Sequence, residues 1–141
     1  MNNLVQIKLE EGAQVPKKFY EGDAGYDLFV NEDVYVHPGS TISIGTGVYI
    51  ALPPNVWVRI MPRSSTLRMH GVQIVEAVID NGYRGEMFIQ ATNPGNNAVR
   101  IRRGARLAQM IPHEIVSLEW NVANELTHTD REDHGFGSTG R

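Results

Sequence analysis

Apolar and polar residues alternate with a period of two along most of the chain. Val5, Ile7 and Leu9 alternate with Gln6 and Lys8, and Ile42, Ile44, Thr46, Val48 and Ile50 share one parity. Val56, Val58 and Ile60 alternate with Trp57 and Arg59, and Val99 and Ile101 with Arg100 and Arg102. Successive side chains of a strand point to opposite faces, so this pattern predicts short half-buried strands. Turn-forming runs separate them: His37-Pro38-Gly39, Pro53-Pro54-Asn55, Asp80-Asn81-Gly82 and Asn93-Pro94-Gly95-Asn96-Asn97. Many short strands between such turns predict an all-β sandwich, barrel or jelly roll. Ser64 to Gly71 breaks the period, with hydroxyls at its start and a glycine at its end, and predicts the one short helix. From Asn121 to Arg141 the chain is polar, charged and rich in Gly, Ser and Thr. The expected organisation is one β domain over 1–120 and a flexible C-terminal arm over 121–141.

Composition narrows the function classes. A chain of 141 residues is long enough for one domain with a real core. A formal net charge of -3 disfavours electrostatic nucleic-acid binding, so no nucleic acid is expected as partner. Without cysteine there is no disulfide scaffold, thiolate zinc site or thiol nucleophile, which fits a reducing cytosol. The longest apolar run is Val48 to Leu52, far short of the roughly 20 residues of a membrane span. The N-terminal residues lack the features of a secretory signal, so a cytoplasmic location is expected, or a host cytoplasm if the source is viral.

Four segments could carry chemistry. Pro62-Arg63-Ser64-Ser65 reads either as a serine-capped helix with a surface arginine or as a phosphate seat, since arginine binds phosphate oxygens bidentately. Ala77 to Gly85 contains an Asn-Gly tight-turn signal and reads as a β-hairpin. Asp80 at its tip could activate a water, and Tyr83 could lie over a ligand. In Arg103 to Ile111, Gln109 interrupts an apolar strand, either facing an edge or aimed at a phosphate. The nearby Arg100, Arg102, Arg103 and Arg106 read most simply as a solvated face. The stretch from Arg131 to Arg141 sets Phe136 among glycines and hydroxyls, which suits a disordered terminus or a mobile lid.

In order and spacing these segments resemble the five motifs of the trimeric dUTPase family, over nearly the whole chain. Asp23-Ala24-Gly25-Tyr26-Asp27-Leu28 is similar to the first, Pro62 to Ser65 to the second and Val78 to Gly85 to the third. Arg103 to Gln109 is similar to the fourth and Gly135 to Gly140 to the fifth. The resemblance implies a jelly-roll homotrimer with active sites shared between subunits, hydrolysing dUTP to dUMP and pyrophosphate with Mg²⁺. Such an enzyme limits uracil incorporation into DNA and supplies dUMP for thymidylate synthesis. By the same resemblance Asp80 deprotonates the attacking water, and Val78 and Ile79 hold uracil and deoxyribose through backbone groups. Tyr83 excludes a 2′-hydroxyl, and Arg63, Ser64, Ser65 and Gln109 hold phosphates. Asp27 meets the Mg²⁺ through water, Arg131, Gly137, Ser138 and Thr139 close on the phosphates, and Phe136 stacks over uracil.

The chain departs from the family pattern at Ala77 and Ser65, both where glycine is common, and at Glu132, Asp133 and His134 in the arm. A dCTP deaminase of the same superfamily is the nearest alternative. Its catalytic glutamate position matches Gln90, which cannot shuttle a proton as a carboxylate does. A dUTPase-fold regulatory protein that binds a partner is the alternative from another class.

Overall fold

A computed structural model describes residues 3–137. The strands are β1 (Gln6–Leu9), β2 (Tyr26–Phe29), β3 (Val34–Val36), β4 (Thr41–Ala51), β5 (Val56–Pro62), β6 (Gln73–Ile74), β7 (Ala77–Ile79), β8 (Glu86–Thr92), β9 (Val99–Ile101) and β10 (Arg106–Glu114). The single helix among the described residues, α1 (Thr66–His70), lies between β5 and β6. One four-stranded sheet has the order β1-β4-β8-β6, a second β2-β10-β5-β7, and β3 pairs with β9. All the strand pairs are antiparallel. This is the expected all-β, jelly-roll-like sandwich with one short helix.

The alternation decides what is buried. Ile44, Val48, Met87 and Ile89 from the first sheet meet Leu28, Val58, Ile60 and Leu107 from the second, all shielded from solvent. At about 25 cal/mol per Å² of apolar surface, each such side chain contributes roughly 1.5–3 kcal/mol on burial. Thr46 shares the inward parity and satisfies its hydroxyl by donating to the Met87 carbonyl at 2.6 Å. The N-terminal alternation is less productive: β1 is an edge strand, and Ile7 and Leu9 stay more than one-third exposed, at 38% and 39%.

Two local expectations give way. The Asn81-Gly82 pair does not make a two-residue hairpin. β7 pairs with β5 and β8 with β4 and β6, so Asp80 to Gly85 crosses from one sheet to the other. Neither Asn81 nor Gly82 has the positive φ that a type I′ turn demands. Instead the Tyr83 N–H donates to the Asp80 carbonyl at 3.0 Å, and Asn81 Nδ2 donates to the carbonyls of Pro53 and Val56, both at 2.8 Å. Helix α1 ends as expected, with the Gly71 N–H returned to the Leu67 carbonyl, but the Ser65 hydroxyl makes no capping bond. No helix of the described residues is long and apolar enough to cross a membrane.

Beyond β10 the chain runs without strand or helix to residue 137. Val116, Leu118, Trp120 and Val122 keep the strand parity and are all exposed, Trp120 at 87% and Val122 at 99%. This apolar stripe begins before the 121 boundary expected for the arm and crosses it.

Candidate active site

The C-terminal end of β5 and the start of β2 meet at a cavity of about 640 Å³. Asp27, Arg63, Ser64 and Gln109 line it, together with Arg106 and the loop residues Phe19, Tyr20, Asp23, Ala24 and Gly25. Three of the five quoted segments therefore converge on one surface. The register explains it: Gln109 on β10 lies opposite Asp27 on β2 and Met61 on β5, one step before the Pro62-Arg63 turn.

Arg63 is fixed at every part of its length. Its N–H donates to Thr66 Oγ1 at 2.9 Å, and that hydroxyl donates to the Leu107 carbonyl at 2.8 Å. Its guanidinium donates from Nε to Asp27 Oδ1 at 3.1 Å and from Nη1 to the Arg106 carbonyl at 3.2 Å. The second oxygen of Asp27 is 3.7 Å from Arg106 Nη1. One buried carboxylate is thus flanked by two guanidinium groups that would otherwise repel each other across the cavity. Gln109 donates from Nε2 to the Pro62 carbonyl at 3.0 Å, and its Oε1 leaves no room at Gly25, where a Cβ would fall 2.2 Å away. Since β10 is flanked by β2 and β5, Gln109 does not face a sheet edge. Ser64 is exposed at the cavity wall, whereas Ser65 is half-buried and does not line the cavity. Burial, and then the charge of Arg63, hold the His70 imidazole below its usual pKa.

The other expected residues lie elsewhere. Asp80 is exposed on the turn between sheets, and Val78 is 63% exposed on β7, an edge strand. Ile79 is half-buried beside it. The Tyr83 hydroxyl donates to the Glu86 carbonyl at 2.8 Å, and its ring folds over Gly85, where a Cβ would be 2.6 Å from Tyr83 Cζ. The register separates these residues from the cavity. Ile79 pairs with Val58, Arg63 lies five positions beyond Val58, and Asp80 continues one position the other way. At ~3.3 Å per residue this places Asp80 roughly 20 Å from Arg63 within one chain. In the arm, Arg131 donates from Nε to the His134 carbonyl, and Phe136 and Gly137 stand in solvent. Ser138 and Thr139 lie outside the described residues.

Several contributors escaped the reading of the sequence. Arg106 and Arg103 are not simply a solvated face. Arg106 walls the cavity, and Arg103 ties down the Glu11 carbonyl at 3.0 Å and Asn31 Oδ1 at 3.1 Å. Phe19, Tyr20 and Thr66 carried no signal beyond nearness to a recognised segment. Gln90, the residue at the deaminase glutamate position, is exposed on β8, in the other sheet from the strands that form the cavity. Among the described residues no group of three or more His, Asp or Glu side chains could hold a metal ion.

Comparison with known proteins places these features in a family. The dUTPase family model matches residues 11–140. The chain is 37% identical over 135 residues to the deoxyuridine 5'-triphosphate nucleotidohydrolase of Gloeothece citriformis, covering 94% of this chain and 93% of that one. It is similar to the solved Staphylococcus bacteriophage 80alpha dUTPase with dUPNHPP, at 26% identity and a TM-score of 0.93, covering 99% of this chain and 100% of that one. It is also similar to a mutant dUTPase from phage phi11 of S. aureus, at 25% identity and a TM-score of 0.81, over 87% of this chain and 98% of that one. That phage structure is described as revealing the coordination of a structural Mg(II) ion. The matched segments run through all five quoted motifs, and the chain belongs to the dUTPase family.

Proposed function

We propose that this protein is a dUTP diphosphatase that hydrolyses dUTP to dUMP and pyrophosphate, keeping uracil out of DNA and supplying dUMP for thymidylate synthesis. The observation that carries the reading is the cavity where Arg63, Ser64, Gln109 and Asp27 converge. Two guanidinium groups, an amide and hydroxyls are what a polyphosphate requires, because its charge must be offset before a nucleophile approaches.

Asp80 is the general base. It takes a proton from water as the water oxygen bonds to the α-phosphorus and the bond to the bridging oxygen of the departing pyrophosphate breaks. No covalent enzyme intermediate is needed, so the absence of cysteine is no obstacle. Val78 and Ile79 hold the uracil through the open backbone edge of β7, and the Tyr83 ring packs under the deoxyribose, where a 2′-hydroxyl would collide.

The proposed assembly is a homotrimer with shared sites. A general base must reach its proton within about 3.2 Å or through one water. Asp80 and the phosphate cavity of the same chain are far beyond that, so each site needs Asp80 from a second copy. The exposed stripe of Val116, Leu118, Trp120 and Val122 supports association, since an extended segment with its apolar side chains bare has an unsatisfied face that a second copy can cover. The arm over 121–141 closes on the bound nucleotide, with Phe136 over uracil and Arg131, Gly137, Ser138 and Thr139 on the phosphates.

The donor set suits Mg²⁺ held mainly by substrate and water. Asp23 and Asp27 are the only carboxylates among the described cavity residues, and Asp27 is already shared between two arginines. Mg²⁺ keeps several waters and takes one or two carboxylates plus phosphates, so Asp27 would meet its hydration shell. Bound there, the ion would offset phosphate charge.

Pyrophosphate release against dUTP, dCTP, dTTP and UTP, with and without Mg²⁺, tests the reading. Turnover confined to dUTP and dependent on Mg²⁺ is expected. Ammonia release from dCTP, or no turnover of dUTP, would overturn it.

A further inference from the structure

The loop before β2 is closed at its base by paired backbone bonds between Lys17 and Asp27, at 3.1 and 2.7 Å. Inside it the Tyr20 N–H donates to Asp23 Oδ2 at 2.9 Å and the Asp23 N–H returns to the Tyr20 carbonyl at 3.0 Å. The loop therefore has a defined shape, and it sets the Phe19 ring at the cavity wall. Two cations sit against that ring. Lys17 Nζ is 4.6 Å from its centroid and the Arg106 guanidinium carbon 4.7 Å. Both are inside the ~6 Å range over which a π face attracts a cation.

Phe19 is 46% exposed, so burial of its own surface does not explain its place. What it touches does. Arg106 is 40% exposed, and its only ionic partner among the described residues is the Asp27 carboxylate, which Arg63 engages at the shorter distance. A long side chain so lightly held has several rotamers open to it, and fixing it costs conformational entropy.

We propose that Phe19 is a positioning residue for the polyphosphate site: its ring holds the Arg106 guanidinium in the cavity while Asp27 holds Arg63. Lys17 on the same ring adds a third positive charge beside the cavity, with no carboxylate paired to it among the described residues. The ligand class is a chain of phosphates, and the effect grows with phosphate number. Asp23 at the same wall sets an opposing charge, so the loop favours a ligand that reaches past it to Arg106. The inference rests on the dUTPase reading and names a determinant of substrate affinity within it.

The test compares Phe19→Leu, which keeps apolar bulk and removes the π face, with Phe19→Trp, which keeps the face. In the intact enzyme Phe19→Leu is expected to raise KM for dUTP roughly three- to thirtyfold, the size of one cation–π contact, with kcat within about twofold. Phe19→Trp should restore KM. Calorimetric binding of inorganic tripolyphosphate should weaken by the same factor in Phe19→Leu, while binding of deoxyuridine, which has no phosphate, should not change. Wild-type KM in Phe19→Leu, or equal loss in Leu and Trp variants with a fall in Tm, would overturn the proposal and leave a plain wall residue. Should the wild-type protein fail to hydrolyse dUTP, the dUTPase reading falls, and the tripolyphosphate comparison still decides the role of Phe19.

Discussion

Mixing two crippled variants should recover activity that neither has. Asp80→Asn keeps size and hydrogen bonding but cannot accept a proton, a loss of 10²-fold or more for a general base. Arg63→Gln removes a charge-assisted phosphate contact, worth roughly ten- to a hundredfold. Within one chain the two residues stand roughly 20 Å apart along the β5–β7 register. If each site takes Asp80 from one copy and Arg63 from another, refolding the variants together at equal amounts gives each group even odds of being intact. About one quarter of the sites then regain both, and the mixture should show about 25% of wild-type turnover per site. The assay is pyrophosphate release after joint unfolding and refolding, with native mass measured to confirm mixed assemblies. A mixture no more active than the mean of its parents, in assemblies shown to be mixed, would put both residues in the same chain's site and refute the register argument.

Thr66→Val should destabilise the fold by about 2 kcal/mol in denaturant unfolding, since it strands the Arg63 N–H and the Leu107 carbonyl, and Thr66→Ser should recover most of it. Tyr83→Ala should raise kcat/KM for UTP relative to dUTP, and an unchanged ratio would move the sugar gate elsewhere. Tyr49, whose hydroxyl donates to Glu10 at 2.6 Å, has its pKa pushed up to about 12, first by that bond and then by desolvation and carboxylate charge. Its protonated form is favoured by folding, so its stabilising effect is full below pH 10, the unfolded value, and is lost as pH rises towards 12. Ultraviolet titration of the phenolate checks this, and Glu10→Gln should lower the midpoint. Deleting 131–141 should leave thermal stability nearly intact, because Arg131 to Gly137 add nothing to the core, yet cut turnover strongly as closure is lost.

The strands were legible because burial on one face imprints a two-residue period, and β4, β5 and β9 bury the parity the sequence displays. The Asp80 turn was misjudged because Asn-Gly reports only local backbone preference. Which sheet each flanking strand joins is settled by pairings far apart in the chain, Val58 of β5 with Ile79 of β7 and Tyr49 of β4 with Glu86 of β8. Arg63, Ser64 and Gln109 were legible through their neighbours in recognisable segments. Arg106 was not, since a charged residue among other arginines looks the same whether it faces water or a cavity. Phe19 is set by a loop whose closing pair, Lys17 and Asp27, is ten residues apart, and no period marks it. The Val116 to Val122 stripe keeps strand parity, but polar residues on both sides masked it.

The clamp on Asn81 has a consequence for the lifetime of the protein. An asparagine followed by glycine ages when the glycine nitrogen attacks the side-chain amide and expels ammonia, leaving an aspartate or an isomer with a lengthened backbone. Here the amide that would be attacked is held from both sides by the Pro53 and Val56 carbonyls. These bonds hold the side chain in one orientation and must be given up before its nitrogen departs as ammonia, so the folded state slows a step that an unfolded chain exposes. Once the ammonia is lost, the new carboxylate faces two carbonyl oxygens it can only repel, and the turn that carries Asp80 comes loose. The age of a molecule would then register first at the Asp80 turn, with the β core still whole.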